Sequence, residues 1–371
     1  MARIMIIAGF DQSLVLFRRE LIESWLNSGH KVVAAAPGTA VEGVLKEMGA
    51  GYYELPLERT GLNPLKDLKL FFKLLQLLKQ EKPDCLFLYT IKPVIYGSLA
   101  AYSRPGVKVY AKITGLGYIF TEGAEVSRML KGLVSFLYRA ALRRCRKVFF
   151  QNPDDIQEFK ERGLVRVDKI VRVYGSGVNL EYFREVPVKE GPVSFLLIAR
   201  LLKEKGIYEY VEAAREVKAK YPQAIFKLIG WDLGSSPSAI GQEELEKWRK
   251  EGIVEILGET EDVRPFIADC SVYVLPSYRE GTPRTVLEAM ATGRAIITTD
   301  TPGCRETVIE GVNGLLVPVQ DAEGLASAME KFIAQPELVG KMGRESRRLA
   351  EENFDVHRVN AEINRAMGIM A

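Results

Sequence analysis

The chain has 371 residues, 47% hydrophobic and 27% charged, with a formal net charge of +3. That length suits two ordinary globular domains, and so small a charge gives no argument for a nucleic-acid partner. Only two histidines occur, His30 and His357, and both read as structural, which leaves almost no material for zinc hydrolase or Ser-His-Asp chemistry.

The opening MARIMIIAGF has an apolar run too short for a signal peptide and no cleavage pattern after it, so it reads as a first strand. Further strands are expected at 31–36, 84–89, 107–113 and 147–151, then at 193–199, 224–229, 254–257, 271–275, 295–299 and 314–318. Each precedes a segment of helical period. Short Val/Ile/Leu runs without polar alternation indicate parallel strands covered on both faces. The fold class is therefore α/β, with two Rossmann-like doubly wound domains facing a cleft. The charged, Pro- and Gly-containing REVPVKEGP (184–192) is the expected linker. It divides an N-terminal domain of residues 1–183 from a C-terminal one of 184–349, and the helical tail of about 350–371 is expected to pack back on the first. The four scattered cysteines (Cys85, Cys145, Cys270, Cys304) read as reduced and cytosolic. No apolar stretch approaches the roughly 18 residues of a spanning helix. A P-loop is missing, and Gly175-Ser176-Gly177 lacks the third glycine of a dinucleotide fingerprint.

The most informative stretch is SYREGTPRTVLEAMATG, from Ser277 to Gly293, with seven residues between Glu280 and Glu288. Thr282 is expected to cap a helix, Pro283 to take its first position and Gly293 to end it. Val286, Leu287 and Met290 form the buried stripe, which leaves Glu288 on another face. The turn follows a strand, where ligands bind in open α/β sheets. Arg279 and Arg284 crowd a helix N-terminus, against its dipole, so an anion is expected there. Earlier, Arg200 and Lys205 follow the 193–199 strand and precede a second helix. An arginine fork and a lysine point charge at such a turn make a diphosphate clamp.

Together RLLKEKG (from Arg200), LPSYREGTPRTVLEAMATG (from Leu275), PGCRETVIEGVNGLLVP (from Pro302) and GSGVNLEYF (from Gly175) resemble the donor domain of retaining family-4 glycosyltransferases of GT-B fold. SLVLFRRELIESWLNSGHKVVAAAP, from Ser13, resembles their acceptor domain. The likeness is greatest to the bacterial enzymes of capsule, O-antigen and lipid-linked glycans. It implies that Arg200 and Lys205 hold the donor diphosphate and stabilise the leaving group. Glu288 accepts from the ribose hydroxyls. Glu280 faces the donor sugar, and N–H groups from Gly281 through Thr282, Pro283 and Arg284 to Thr285 reach its hydroxyls or the distal phosphate. Gly9 lets backbone approach the diphosphate, and the nucleobase lies near Gly230-Trp231-Asp232 and Gly258-Glu259. Ser13, Arg18, Thr114, Gly115 and Gly117 stand on the acceptor side.

The implied reaction moves a sugar, an N-acetylhexosamine by preference, from a UDP-sugar to a polyprenyl-diphosphate-linked saccharide in surface-glycan assembly. No cofactor and no metal ion are called for, because cations can neutralise phosphate charge where it develops. A double displacement needs a carboxylate at the anomeric carbon, for which Glu280 is the motif-borne candidate; a same-face route assisted by the leaving phosphate fits better. One departure is Thr114, which stands in ITGLGYIF where many relatives carry a histidine. Two alternatives stay open: a GT-B-like sugar-nucleotide epimerase and a non-catalytic nucleotide-sugar-binding partner.

No acidic residue occurs between Val126 and Pro153, a stretch holding Arg128, Lys131, Arg139, Arg143, Arg144, Arg146 and Lys147 among apolar residues. A second candidate, Leu62 to Lys79, carries Lys66, Lys69 and Lys73 beside Leu70, Phe71, Phe72, Leu74 and Leu75. Basic amphipathic helices of this kind lie in anionic membrane surfaces. The expected location is cytoplasmic, peripheral on the inner face of the plasma membrane.

Overall fold

A computed structural model describes residues 1–58, 63–115, 128–231, 236 and 238–369. It divides into two compact units, Met1–Ser176 with Val359–Ala371 and Gly177–Arg358. The first holds seven strands: β1 (Arg3–Ile7), β2 (Lys31–Ala36), β3 (Gly51–Glu54), β4 (Cys85–Tyr89), β5 (Lys108–Lys112), β6 (Lys147–Phe150) and β7 (Ile170–Arg172). Their order is β3-β2-β1-β4-β5-β6-β7, every pairing parallel. The second holds β8 (Ser194–Arg200), β9 (Ile225–Trp231), β10 (Glu255–Gly258), β11 (Val272–Leu275), β12 (Ala295–Thr299) and β13 (Gly314–Val317). These run parallel in the order β10-β9-β8-β11-β12-β13.

Every expected strand is present, and two unexpected ones, β3 and β7, lie at the edges of the first sheet. GYYE is half exposed and begins with glycine, and IVR is three residues long, so neither carries the buried apolar run that marks an inner strand. Inner strands alternate their cores. In β1, Met5 and Ile7 join one cluster while Ile4 and Ile6 join the other. That double coverage explains why these strands read as unbroken apolar runs.

The unit boundary falls at Ser176, ahead of the expected linker, because residues 178–186 are already tied into the second unit. Val178 pairs with Asp355, Val186 N–H donates to Thr292 O at 3.2 Å, and Arg347 donates to Phe183 O at 3.1 Å. Buried Arg294 donates to Val186 O as well. The tail returns to the first unit only from Val359, so the expected span of about 350–371 is too long at its start. In the helix Val356–Met367, Val359, Ile363 and Met367 enter the core under Trp25. Trp25 Nε1 donates to Asn364 Oδ1 at 2.8 Å, and Tyr110 Oη donates to Met367 O at 2.7 Å.

Trp25 is fully buried in that core. Trp25→Ala therefore lowers the stability of the first unit by about 3–5 kcal/mol, and Asn364→Ala by about 1 kcal/mol. Urea unfolding of the two variants checks the ranking.

Candidate active site

The second sheet reverses its strand order between β8 and β11, and a parallel sheet opens its ligand crevice at such a point. β8 ends at Arg200, followed by a short 3-10 turn, Lys203–Lys205, and the helix Ile207–Lys220. β11 ends at Leu275 and leads into the Glu280 turn. The two loops are bonded together. Tyr278 N–H donates to Glu204 O at 2.9 Å, and Tyr278 Oη donates to Glu209 Oε1 at 2.7 Å. Burial, then the Glu209 bond, pushes the Tyr278 hydroxyl up to about 12. Gly206 has φ +70°, and a Cβ there would stand 2.1 Å from Pro276 O, so only glycine allows the approach.

This stitching brings Lys205 Nζ onto Glu280 Oε1 as an ion pair, with both side chains largely buried. Ser277, itself fully buried, donates from Oγ to the same Glu280 oxygen at 2.9 Å. Arg200 stands half-buried at the strand end and makes no side-chain hydrogen bond or ion pair with the described residues. The other side of the Glu280 turn is fixed by Glu280 N–H donating to Pro302 O at 3.0 Å. Gly303, at φ +86°, lies where a Cβ would meet Glu280 O at 2.2 Å.

Hydroxyls that the sequence reading missed prop this loop from beneath. Thr298 donates to Leu275 O at 2.7 Å, Thr299 to Ser277 O, and Thr301 to Tyr278 O at 2.8 Å. Threonine is an ordinary strand residue, so TTDT offered no signal beyond β propensity. Ser277, inside the motif, could have been found by its spacing of three residues from Glu280.

The helix Arg284–Ala291 corrects two expectations. Thr282 does not cap it: the N-cap is Pro283, without a side-chain bond, and Thr282 Oγ1 is buried without a partner. Pro283 precedes the helix and has no N–H, so it cannot join the amides offered to a ligand. Gly293 ends the helix at φ +80°, as expected. The anion expected beside Arg284 comes from within the helix. Arg284 Nε donates to Glu288 Oε1 at 3.0 Å and Nη1 to Gly177 O at 2.8 Å. Glu288 lies off the buried stripe but deep, and burial raises its carboxyl above the ordinary range against the pull of Arg284. Thr285 Oγ1 lies 3.5 Å from Ile198 O, turned toward the sheet.

Of the positions expected around a nucleobase, Gly230 lies inside β9, where a Cβ would meet Ala199 O at 2.7 Å and a Leu201 methyl at 2.6 Å. That packing accounts for its glycine. Gly258 has φ +76° and open space beside its Cα, and Asp232 lies outside the described residues. Gly281 sits half-buried in the turn.

In the first unit the order reverses between β1 and β4. Gly9 follows β1, and Ser13 and Arg18 meet on Tyr89, the last residue of β4. Ser13 Oγ is 3.0 Å from Tyr89 Oη, and the Arg18 guanidinium lies 5.2 Å from the Tyr89 ring centre. Burial pushes the Tyr89 hydroxyl up to about 12. A residue not anticipated, Lys112, ends β5 fully buried and donates to Gly175 O at 2.5 Å. Desolvation, then the nearby Arg18, holds its ammonium well below the ordinary range. Thr114 and Gly115 follow β5 half-buried, and Gly117 lies outside the described residues.

Two family models match the chain: "Glycosyl transferases group 1" over residues 179–349 and "Glycosyl transferase 4-like domain" over 16–175. A Campylobacter jejuni protein named N,N'-diacetylbacillosaminyl-diphospho-undecaprenol alpha-1,3-N-acetylgalactosaminyltransferase is 27% identical over 340 residues, 88% of each chain. An Escherichia coli UDP-Gal:alpha-D-GlcNAc-diphosphoundecaprenol alpha-1,3-galactosyltransferase is 25% identical over 79% of this chain and 77% of its own. Among solved structures, Anabaena Alr3699/HepE in complex with UDP covers all of both chains with a TM-score of 0.79 at 17% identity. That likeness is one of fold.

Gly303→Ala forces a side chain onto the Glu280 carbonyl at a positive φ, and lowers stability of the second unit by at least about 2 kcal/mol. A fall in the thermal midpoint, with the Glu280 turn losing amide protection in hydrogen exchange, is the expected outcome.

Proposed function

We propose that this chain, which belongs to the GT-B glycosyltransferases described by those two models, moves a sugar from a UDP-sugar to a polyprenyl-diphosphate-linked saccharide with retention of configuration. The sugar is an N-acetylhexosamine and the setting is bacterial surface-glycan assembly. The Lys205–Glu280 pair at the switch point of the second sheet carries the reading. Glu280 pins Lys205 at a strand end, and Arg200, at the end of β8, makes no side-chain bond with the described residues. Two cations in that position suit the diphosphate of a donor, and the acceptor class follows the names of the two enzyme relatives.

In the reaction, the bond between the anomeric carbon and the phosphate oxygen breaks and its electron pair stays on the departing diphosphate. Lys205 and Arg200 neutralise that growing charge without a metal ion. The acceptor hydroxyl adds on the face the phosphate leaves, and its proton passes to the phosphate oxygen. Glu288 meets the ribose with the carboxylate oxygen that Arg284 does not use, so Arg284 positions it.

Incubation with UDP-sugars and a short-chain polyprenyl-diphosphate saccharide, followed by acceptor mass, tests the activity; isomerised donor with unchanged acceptor rejects it. At saturating donor, Lys205→Ala lowers kcat about 100-fold or more, because phosphate charge grows in the transition state. Glu288→Ala acts mainly on the donor KM, since ribose contacts are similar in both states. Equal losses in kcat, in variants with wild-type melting midpoints, would contradict the roles.

The proposal includes peripheral contact with the inner face of the plasma membrane. Among the described residues no helix is long and apolar enough to cross a membrane. The helices Pro64–Glu81 and Arg128–Arg144 pack on one face of the first sheet, and each leaves an apolar stripe exposed: Leu65, Leu68 and Phe72 on one, Met129, Leu133 and Phe136 on the other. Of the cations expected to flank them, Arg139, Arg144 and Lys147 are bound to backbone carbonyls and Lys66 pairs with Glu58. Lys69, Lys73, Lys131 and Arg143 make no such side-chain bond among the described residues and are left for lipid phosphates. Burying one such side chain is worth about 1.5–3 kcal/mol. Leu68→Glu with Phe136→Glu therefore weakens sedimentation with anionic vesicles at least about tenfold; undiminished sedimentation would exclude this face.

A further inference from the structure

Gly9, after β1, and Thr90, after β4, flank the point where the first sheet reverses its order. We propose that Thr90 is a substrate-contacting residue of the first unit, whose hydroxyl bonds an oxygen of the acceptor saccharide. The inference rests on the transfer proposed above and on the likeness of the first unit's sequence to acceptor domains.

Three independent features converge on this side chain. Its φ is +69°, a genuine outlier for a β-branched residue. Lys82 and Gln320 are the other non-glycine residues of positive φ among the described residues, and neither is β-branched. Lys82 caps the C-terminal end of the helix Pro64–Glu81, whereas Thr90 stands between β4 and the helical turn that starts at Ile91, and its hydroxyl caps none of that turn's N–H groups. Next, Thr90 Oγ1 is buried without a hydrogen-bond partner, an expensive state for a hydroxyl. Finally, a Cβ on Gly9 would fall 2.4 Å from that Oγ1, so position 9 is kept bare where the hydroxyl sits.

The fold demands none of this. Glycine at position 90 removes the torsional strain, and valine removes the unmet hydroxyl; threonine keeps both costs at one residue. Costs of this kind collect where a ligand later supplies the missing partner. The chain then makes an α-helical turn, in which Val94 N–H donates to Thr90 O at 3.1 Å, and passes into a π-helix, Pro93–Gly97. Such turns also gather at functional sites. Nearby polar groups are already occupied: Ser13 with Tyr89, and Lys92 with Asp67 at 2.7 Å. An entering acceptor oxygen meets the Thr90 hydroxyl through a rotation about χ1, which the new bond holds.

The test compares Thr90→Val, Thr90→Ser and Thr90→Gly in the full chain. The probes are GlcNAc-diphosphoundecaprenol in bicelles and, separately, UDP. Thr90→Val binds the lipid-linked saccharide about threefold to tenfold more weakly, with UDP affinity unchanged and the melting midpoint not lowered. Thr90→Ser restores the affinity. Thr90→Gly loses it while melting no lower than wild type. Wild-type saccharide affinity in Thr90→Val overturns the proposal. So does an equal loss of UDP affinity, which assigns the hydroxyl to the donor, or a lowered midpoint that serine fails to restore, which assigns it to the fold. Wild-type protein that binds the saccharide but transfers no sugar rejects the activity proposed above, and the affinity comparison still decides on Thr90. Wild-type protein that does not bind the saccharide overturns both.

Discussion

The reversal of strand order between β8 and β11 governs the second unit, because it brings two strand-end loops together and pairs Lys205 with Glu280. A largely buried ion pair is weak evidence for stability, since desolvation offsets most of its attraction. This one is held by unusual means for so small a return. Two glycines, Gly206 and Gly303, allow backbones to touch on either side of it, and three threonine hydroxyls hold the loop from below. Scaffolding of that density suits the proposed diphosphate site, where a charge would have to be in place beforehand.

The first unit uses the same topology with different chemistry. Its switch point carries Gly9 and Thr90 rather than an ion pair, and the neighbouring strand ends carry Tyr89 and Lys112. Lys112 and Arg18 are both buried, and Arg18 adds to the burial that disfavours the Lys112 ammonium. Lys112 spends a donor on Gly175 O, just before the chain leaves for the second unit at Gly177. Arg284, beside Glu288, donates to Gly177 O in turn. Each unit therefore anchors its own side of the crossing with a cation bound to a glycine carbonyl.

Cations elsewhere follow the same habit. Arg139, Arg144 and Lys147 look like solvated or lipid-facing charges in a sequence, yet each closes on main-chain carbonyls at a helix or strand end. Unmet carbonyls are strong acceptors, and a long basic side chain reaches them without leaving the surface. Counting positive residues thus overstates a basic face, and the exposed apolar stripes are the firmer guide to what the first unit meets.

The sequence by itself determined the inner strands, because a strand covered on both faces must be apolar throughout, and the motif turns, because glycine and proline punctuate them. It also singled out Arg200, Lys205, Glu280 and Glu288 from their spacing around strand ends, and the fold brings Lys205 onto Glu280. It did not determine the edge strands β3 and β7, which lack a buried face, or the capping of the helix Arg284–Ala291, where neighbouring loops override the local preference of Thr282. Nor could it show that Arg284 is neutralised by Glu288, that Lys112 lies buried, or that Thr90 is strained. Those facts come from tertiary structure alone, because burial, backbone torsion and pairing depend on what other parts of the chain bring alongside.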